Sequence, residues 1–391
     1  MDKAEIKSAP TPRGRLVILG SGITAIAHMT LEAVGHIRNA DIVFYNANSG
    51  VTAAYLKELN SNLVDLYAYY GEGKLRGITY VQMAELMLRE VRKGRTVVGV
   101  FHGHPGFFVK AGRRAMAIAE MEGHEARMLP GISSIDCLFA DLRVDPGYVG
   151  VEIVKASHLL QRGYMLSTDH HIVIVQVGSV GDNTFSFSGF KHAKVDRLFR
   201  KLIDVYGDNH ESVYYVASIF PGVDPIIRVR HLRDYLDQNI LDTVHAALLY
   251  IPPLGLRFEE LRSMQAFGEG EPYGRFEKDA IAELDHHTQP EGFKHSGAST
   301  RMLQTMNELA TSPQALRSYR SDASAFAARS KELTGRERRA LASRETTQLR
   351  SVMTEMEPKP VGTNGSKSKG PSNELAPAAV SAKENSRVLQ Q

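Results

Sequence analysis

The sequence predicts an α/β protein with two α/β subdomains, followed by a helical segment and a flexible tail. Short apolar runs alternate with helical patterns between Arg15 and Phe101, and a second group of apolar runs lies between His171 and Ile251. No Phe or Tyr occurs after Phe326. Alternation of strands and helices is typical of parallel sheets, whereas the loss of aromatic residues indicates that no further sheet follows.

The bulk composition is that of a globular protein from a reducing compartment. The chain has 391 residues, of which 43% are apolar, and a formal net charge of +3. This charge does not suggest nucleic acid or a membrane as a partner. A single cysteine, Cys137, excludes an internal disulfide framework, and no apolar run approaches the length of a membrane span. We expect a cytoplasmic protein.

The first subdomain is predicted to contain strands at 15–19, 41–45 and 96–101 and helices at 23–39 and 80–93. In parallel sheets, ligands bind beyond the carboxyl ends of the strands. Three glycine loops are expected at that edge: Gly20-Ser21-Gly22, Gly103-His104-Pro105-Gly106 and Leu129-Pro130-Gly131-Ile132-Ser133-Ser134.

The second subdomain is predicted to contain strands at 171–177, 212–217 and 246–251, the last of which ends at Pro252-Pro253. The irregular composition that follows indicates a connector. Beyond it, Ser312-Pro313 is typical of a helix start with proline at the first helical position. Thr334 and Glu337 have the spacing of a capping box.

These patterns divide the chain into five parts. The predicted parts are a disordered N-terminus (1–14), the two α/β subdomains with a break near 148 (15–253), a connector (254–298), a helical segment (299–356) and a flexible tail (357–391).

Two common types of site are not favoured by the residues. Gly20-Ser21-Gly22 matches a loose dinucleotide-binding pattern, but no acid follows the second strand, where such a site needs one. His102 and His104 lack a third ligand at an informative spacing, so no metal is predicted. Cys137 lies in an apolar helical pattern and is expected to be a buried small residue, not a nucleophile.

The stretch from Asp65 to Tyr80 is the most unusual in the chain. It places four tyrosines and one arginine around a glycine-rich loop. Phenols beside a guanidinium on a loop are typical of a site, because core tyrosines usually occur singly. The alternative is an aromatic loop that packs on the domain or on a partner, with Arg76 in a structural ion pair. The residues alone leave both readings open.

The three glycine loops, in this order and at these separations, resemble the tetrapyrrole methylase superfamily. The Asp65–Tyr80 stretch, the closing Tyr250-Ile251-Pro252-Pro253 and the segment from Ser312 to Leu341 further resemble the borosin peptide α-N-methyltransferases. The resemblance implies a tetrapyrrole-methylase-like fold followed by a helical clasp. It also implies a homodimer that methylates backbone amides of a peptide with S-adenosylmethionine, in the biosynthesis of a ribosomally synthesised and modified peptide.

The resemblance assigns catalytic roles to Tyr67, Tyr70, Arg76 and Tyr80. A peptide nitrogen is a poor nucleophile because its lone pair is shared with the carbonyl group. Tyr80 beside Arg76 could accept the amide proton, while Arg76 and a phenol such as Tyr70 hold the oxyanion. Which phenol is the base stays a hypothesis.

The resemblance also implies a set of cofactor-binding residues. His102 stands where borosins carry a tyrosine, and it can offer a ring to the sulfonium if it is neutral. The residues implied are Gly20, Gly22, His102, His104, Phe107, Ser133, Ser134, Gln176 and Ala247.

The tail leaves two readings of the substrate. In the first hypothesis, the enzyme methylates its own C-terminus. The candidate acceptors then lie between Leu375 and Ala382, excluding Pro377, which has no N–H. Alternatively the tail is degenerate and the enzyme acts on a separate peptide, since this tail is mostly polar. A third reading makes the clasp a module that recruits partner proteins. Methylation of a tetrapyrrole or another small molecule is the alternative activity.

Overall fold

The structure is a computed structural model that describes most of the chain between residues 13 and 354. Residues 48, 162, 238–240, 242–246, 268–280, 283, 285, 287 and 289–298 lie outside the described residues. The predicted tail at 357–391 and its proposed acceptor residues also lie outside them.

A five-stranded parallel sheet forms the first subdomain, in the strand order β3-β2-β4-β1-β5. Leu16 and Ile18 pack into the core on one face of this sheet, and Val17 and Leu19 pack into the core on the other. A parallel strand buried on both faces must be apolar at successive positions. The strands are β1 (Arg15–Gly20), β2 (Ile42–Asn46), β3 (Leu63–Asp65), β4 (Thr96–Phe101) and β5 (Glu125–Met128).

Helices connect these strands, and the first of them is shorter than predicted. A helix was expected at 23–39, but α1 begins after Thr30, whose hydroxyl accepts from the N–H of Ala33 at 3.1 Å. The preceding residues are held by the second subdomain, because the N–H of Ala25 donates to the carbonyl of Ile219 at 2.9 Å. The helices are α1 (Leu31–Arg38), α2 (Gly50–Leu59), α3 (Arg76–Val91), α4 (Lys110–Met121) and α5 (Ser134–Leu142).

A second five-stranded sheet follows, in the order β6-β7-β10-β8-β9. Only β6 and β7 pair in parallel, whereas the other neighbours are antiparallel. Helices α6 (Ala156–Gln161) and α7 (Val195–Tyr206) belong to this subdomain. The strands are β6 (Val151–Lys155), β7 (His171–Val175), β8 (Glu211–Val216), β9 (Ile226–His231) and β10 (Leu248–Ile251).

The connector differs from its prediction as an irregular segment, because it contains helix α8 (Phe258–Phe267). Phe258 and Leu261 are buried in the core beside the second sheet, and the Phe258 ring meets that of Tyr250 edge-on at 6.0 Å. These contacts hold the first turns of α8 against the sheet.

The helical segment forms a small domain with its own core around Met302, Leu333 and Leu341. Two helix starts predicted from the sequence are confirmed. Pro313 is the first residue of its helix, and Thr334 and Glu337 form the capping box. The helices are α9 (Thr300–Thr311), α10 (Pro313–Ser321), α11 (Ala323–Arg329), α12 (Gly335–Ser343) and α13 (Thr346–Thr354).

This helical domain docks on α1 of the same chain. Helices α9 and α10 both contact α1. The contact is so close that a Cβ atom at Gly35 would lie 2.0 Å from the carbonyl oxygen of Thr311. Only glycine allows the two backbones to approach in this way.

Within the described part of the chain, no helix combines the length and apolarity needed to cross a membrane.

Candidate active site

A cavity of about 730 Å³ lies between the two subdomains. Its lining brings together five of the residues predicted from the sequence: Tyr67, Tyr70, Arg76, His102 and Ser134. This volume is in the range of small-molecule and cofactor sites. We call this cavity the cleft.

One side of the cleft, which we call the polar wall, consists of Asp65, Tyr67, Tyr70, Arg76 and His102 from the first subdomain. Asp65 ends β3, and its carboxylate accepts from the N–H of Tyr67 at 2.8 Å. A short turn at Tyr67–Tyr69 then leads the chain to Tyr70. The turn therefore presents two phenols at the carboxyl edge of the sheet.

Tyr70 is a neutral hydrogen-bonding group. Burial raises the pKa of its phenol, and the neighbouring Tyr80 raises this pKa further. Its side chain has hydrogen bonds to those of Asn46 and Tyr80. Tyr80 is not among the residues that line the cleft, and it packs half-buried against the core. The predicted pair of phenols is thus in contact, with Tyr70 nearer to the cavity.

Arg76 is the first residue of α3, and the second subdomain holds both its backbone and its side chain. Its backbone N–H donates to the carbonyl of Asn183 at 3.1 Å, and its Nε donates to the carbonyl of Thr184 at 3.1 Å. The guanidinium also lies 5.3 Å from the ring centre of Phe190. The structural ion pair considered for Arg76 is therefore not its main contact, which is with carbonyl groups and rings.

An adjoining part of the lining, which we call the aromatic wall, consists of Phe185, Phe187 and Phe190 from the second subdomain. Phe185 stacks on Tyr70 with ring centres 4.3 Å apart, and Phe187 meets Tyr67 edge-on at 6.2 Å. These residues were not predicted from the sequence. The feature that could have revealed them is the occurrence of three phenylalanines in a serine- and glycine-rich stretch, because exposed loops rarely carry so many large apolar side chains.

The two walls are joined by their backbones. The N–H of Gly73 donates to the carbonyl of Phe185, and the N–H of Phe185 donates to the carbonyl of Lys74, each at 2.9 Å. Leu75 and Thr184 form an antiparallel bridge beside these bonds. Arg76 is therefore fixed between two subdomains, which limits the number of conformations of its side chain.

The three glycine loops meet at the adjoining edge of the first sheet. The N–H of Gly103 donates to the carbonyl of Gly22 at 2.9 Å. A Cβ atom at Gly20 would lie 2.0 Å from the carbonyl oxygen of Gly103, and one at Gly131 would lie 3.3 Å from the Cα of Gly20. The glycines are required for this close approach of three loops.

His102 follows β4 and lines the cleft as an uncharged ring. Burial lowers its pKa to about 4, so the imidazole is neutral at pH 7. Ser134 lines the cleft at the start of α5, next to Ser133, whose hydroxyl caps that helix. A neutral ring and a carboxylate, that of Asp65, suit a site for a positively charged group.

The other predicted cofactor residues are described but do not belong to the cleft lining. His104 accepts at Nδ1 from the N–H of Gly106 at 2.8 Å, and its ring meets that of Phe107 edge-on. Gln176 has a φ of 57° directly after β7, and Ala247 is buried just before β10. The residues outside the lining are Gly20, Gly22, His104, Phe107, Ser133, Gln176 and Ala247.

Cys137 is half-buried, which is less than expected from the sequence, but its surroundings do not favour a nucleophile. Burial, together with nearby Asp141 and Asp136, raises the pKa of its thiol to about 11. His28 lies 3.9 Å from the sulfur, but its Nδ1 already accepts from the N–H of Thr24 at 3.1 Å. This Cys-His pair is therefore not an activated nucleophile.

Comparison with known proteins matches both parts of the chain. Residues 15–219 match the family of Tetrapyrrole (Corrin/Porphyrin) Methylases, and residues 272–382 match the Borosin biosynthesis clasp domain. Among solved structures, uroporphyrin-III-C-methyltransferase from Thermus thermophilus aligns with a TM-score of 0.44 and 20% identity, over 64% of this chain and 97% of that chain.

Curated relatives match over nearly the whole chain. The methyltransferase/ribosomally synthesized cyclic peptide dendrothelin A precursor of Dendrothele bispora is 39% identical over 375 residues, which is 89% of this chain and 90% of that protein. The corresponding omphalotin A precursor of Omphalotus olearius is 40% identical over the same shares. These matches confirm the resemblance found in the sequence, and the chain belongs to the borosin family of methyltransferases.

Proposed function

We propose that the protein transfers methyl groups from S-adenosylmethionine to backbone amide nitrogens of a peptide. The observation that carries this proposal is the presence of Arg76 and the neutral phenol of Tyr70 in one cleft. Relatives whose names join a methyltransferase to a cyclic peptide precursor support a peptide as the substrate.

The task of the polar wall is to activate an amide. When the N–H proton leaves, negative charge moves to the carbonyl oxygen, and donors aimed at that oxygen lower the barrier. Thr184 uses only the Nε of Arg76, so within the described residues its Nη groups remain for the substrate. Tyr70 keeps its proton because its pKa is raised, so it is the second donor.

Tyr80 is the proposed acceptor of the amide proton. Its hydrogen bond to Tyr70 links it to the oxyanion donors. To accept the amide proton, Tyr80 first releases its own phenol proton to solvent. The amide proton then moves to the Tyr80 oxygen as the bond from nitrogen to the methyl carbon forms and the bond from that carbon to sulfur breaks.

The cleft fits the proposed methyl donor. S-adenosylmethionine would supply an electrophilic methyl group on a sulfonium, and the sulfur would depart as a neutral thioether. His102 is neutral and does not repel that positive charge, and the Asp65 carboxylate in the lining attracts it. The joined glycine loops lie at the adjoining sheet edge, where backbone groups can bind the remainder of the cofactor.

We propose that the substrate is the protein's own tail and that the working form is a homodimer. A tethered acceptor has a high effective concentration at the cleft, which favours reaction of a poor nucleophile. The candidate acceptors between Leu375 and Ala382 include several small and apolar residues. Analytical ultracentrifugation of the purified chain tests the dimer directly.

Intact-mass and tandem mass spectrometry of the protein purified from cells test the activity. We expect masses raised by whole CH₂ units, with each methyl group on a backbone nitrogen of the tail. An unmodified tail combined with methylation of an added peptide would instead support action in trans. Methylation of a tetrapyrrole, with neither the tail nor any added peptide modified, would overturn the proposal.

A further inference from the structure

Arg76 can act on a carbonyl oxygen only if its guanidinium has a fixed direction. The Thr184 carbonyl sets that direction by accepting from Nε at 3.1 Å. Phe190 and Phe185 support the guanidinium plane, with ring centres 5.3 and 5.9 Å from its central carbon. The orientation of Arg76 therefore depends on the backbone of Thr184.

Asp182 in turn fixes Thr184. Its Oδ1 accepts from the backbone N–H of Thr184 at 2.8 Å and from the Thr184 hydroxyl at 2.6 Å. A carboxylate that bonds the backbone two residues further on forms a local turn. This turn fixes the Thr184 side chain and the peptide group between Asn183 and Thr184, whose carbonyl accepts from the backbone N–H of Arg76. The Thr184 carbonyl that accepts from Arg76 Nε extends from this fixed residue.

We infer that Asp182 is a positioning residue for methyl transfer, which acts through Thr184 to aim the Arg76 guanidinium into the cleft. This inference rests on the proposed function. Asp182 belongs to the second subdomain, so the catalytic arginine of one subdomain takes its geometry from the other. Asp182 does not line the cleft and is not a catalytic residue.

Asp182 has two means of orienting Arg76, its hydrogen bonds to Thr184 and its negative charge, and the test must distinguish between them. Arg76 and Lys191 both act electrostatically on the Asp182 carboxylate. Asn at position 182 keeps an oxygen that can accept from both groups of Thr184 but has no charge. If hydrogen bonds set the geometry, Asp182→Asn therefore retains most of the function that Asp182→Ala loses.

The first measurement is the rate of methyl addition as a function of S-adenosylmethionine concentration. For Asp182→Ala we expect the rate at saturating cofactor to fall about 10- to 100-fold, as for a misaligned catalytic group, with the half-saturating concentration unchanged. Asp182→Asn should recover most of the rate. Asp196→Ala is the matched control, because Asp196 is an acid of the same subdomain whose carboxylate lies 3.9 Å from Arg200 on the surface of α7.

The second measurement does not depend on activity. In protein labelled with ¹⁵N-arginine, the Nε–H signal of Arg76, assigned by its loss in Arg76→Lys, should exchange slowly with water. Asp182→Ala should make this exchange fast, and Asp182→Asn should keep it slow. If the wild-type protein methylates nothing, the proposed function fails, while this measurement still decides whether Asp182 positions Arg76.

The inference is overturned by either of two results. One is a wild-type rate, or a protected Nε–H signal, in Asp182→Ala. The other is an Asp182→Asn variant as defective as Asp182→Ala, since the charge would then be responsible. If Asp182→Ala does not fold, Thr184→Val provides the same test, because it removes one of the two hydrogen bonds and leaves Asp182 in place.

Discussion

The two walls line the same cleft and contact each other, but they differ in chemistry. The polar wall comes from the first subdomain and carries a carboxylate, two phenols, a guanidinium and an imidazole, whereas the aromatic wall comes from the second and carries three phenylalanines. The phenylalanines have no group that can exchange a proton. They are nevertheless in ring contact with Tyr67, Tyr70 and Arg76.

The contrast indicates a division of labour between reaction and geometry. The polar wall has the groups that can move protons or hold charge, and the aromatic wall fixes where those groups point. If this division is right, substituting the groups that hold charge or move protons, above all Arg76 on the polar wall, should reduce the rate of methyl transfer by orders of magnitude. Substitutions on the aromatic wall should reduce it by much smaller factors.

Arg76→Ala should have the largest effect. Loss of an oxyanion donor typically costs about 100- to 1000-fold in rate, and binding of S-adenosylmethionine should survive. Methyl incorporation and calorimetric binding of the cofactor measure the two quantities. The control is Arg89→Ala, because Arg89 lies on the same helix and contacts Glu85 at 3.6 Å on the surface. Full activity in Arg76→Ala would show that the guanidinium of the polar wall takes no part in the reaction.

Tyr80→Phe should have the second-largest effect on the rate of methyl transfer. Removal of a general base typically costs about 100-fold or more in rate. Tyr69→Phe removes a phenol from the neighbouring turn, outside the cleft lining, and should retain activity. Methyl incorporation at saturating cofactor compares the two variants. Equal rates in both would assign the proton transfer to another group.

Phe185→Leu should have a smaller effect. It removes the ring that stacks on Tyr70 at 4.3 Å but keeps an apolar side chain. Such a ring pair contributes about 0.5–1.5 kcal/mol, so a loss of about two- to tenfold in the rate of methyl incorporation is expected. A loss as large as that of Arg76→Ala would contradict the division between the walls.

His102 should have the smallest effect on the rate near neutral pH, and its contribution should appear in stability. Its pKa is lowered from 6.5 to about 4 in the fold, so the unfolded chain binds more protons between these values. The free energy of unfolding should therefore fall as pH falls from 6.5 to 4. Urea unfolding of wild type and His102→Gln should show a smaller fall in the variant. Parallel curves would mean that His102 titrates normally.

The residues of the polar wall could be predicted from the sequence more readily than those of the aromatic wall. Tyr67, Tyr70 and Arg76 could be predicted because their types are unusual together on a loop, and the structure brings them into one cleft. Phe185 and Phe190 could not, because their role depends on contacts with residues more than one hundred positions away. No local pattern encodes such a pairing.

In the fold, too, features set by neighbouring residues could be predicted, whereas features set by contacts distant in sequence could not. The helix starts at Pro313 and Thr334 depend on neighbouring residues and were predicted correctly. The start of α1 was not, because the second subdomain binds Thr24 and Ala25 and keeps them out of the helix. Strands β3, β5, β6 and β9 were also missed. Strand β9 is an edge strand in which arginines interrupt the apolar residues, and none of its residues is buried.

The contact at Gly35 limits how the helical domain of this chain can be exchanged. Because the Thr311 carbonyl occupies the space that a side chain at position 35 would need, the helical domain and α1 form one fitted unit. A chimera that joins the helical domain of one family member to the catalytic subdomains of another should therefore carry α1 along with the helices. Such an exchange then needs two transferred segments, α1 and the helical domain, and a cut at the connector alone does not suffice.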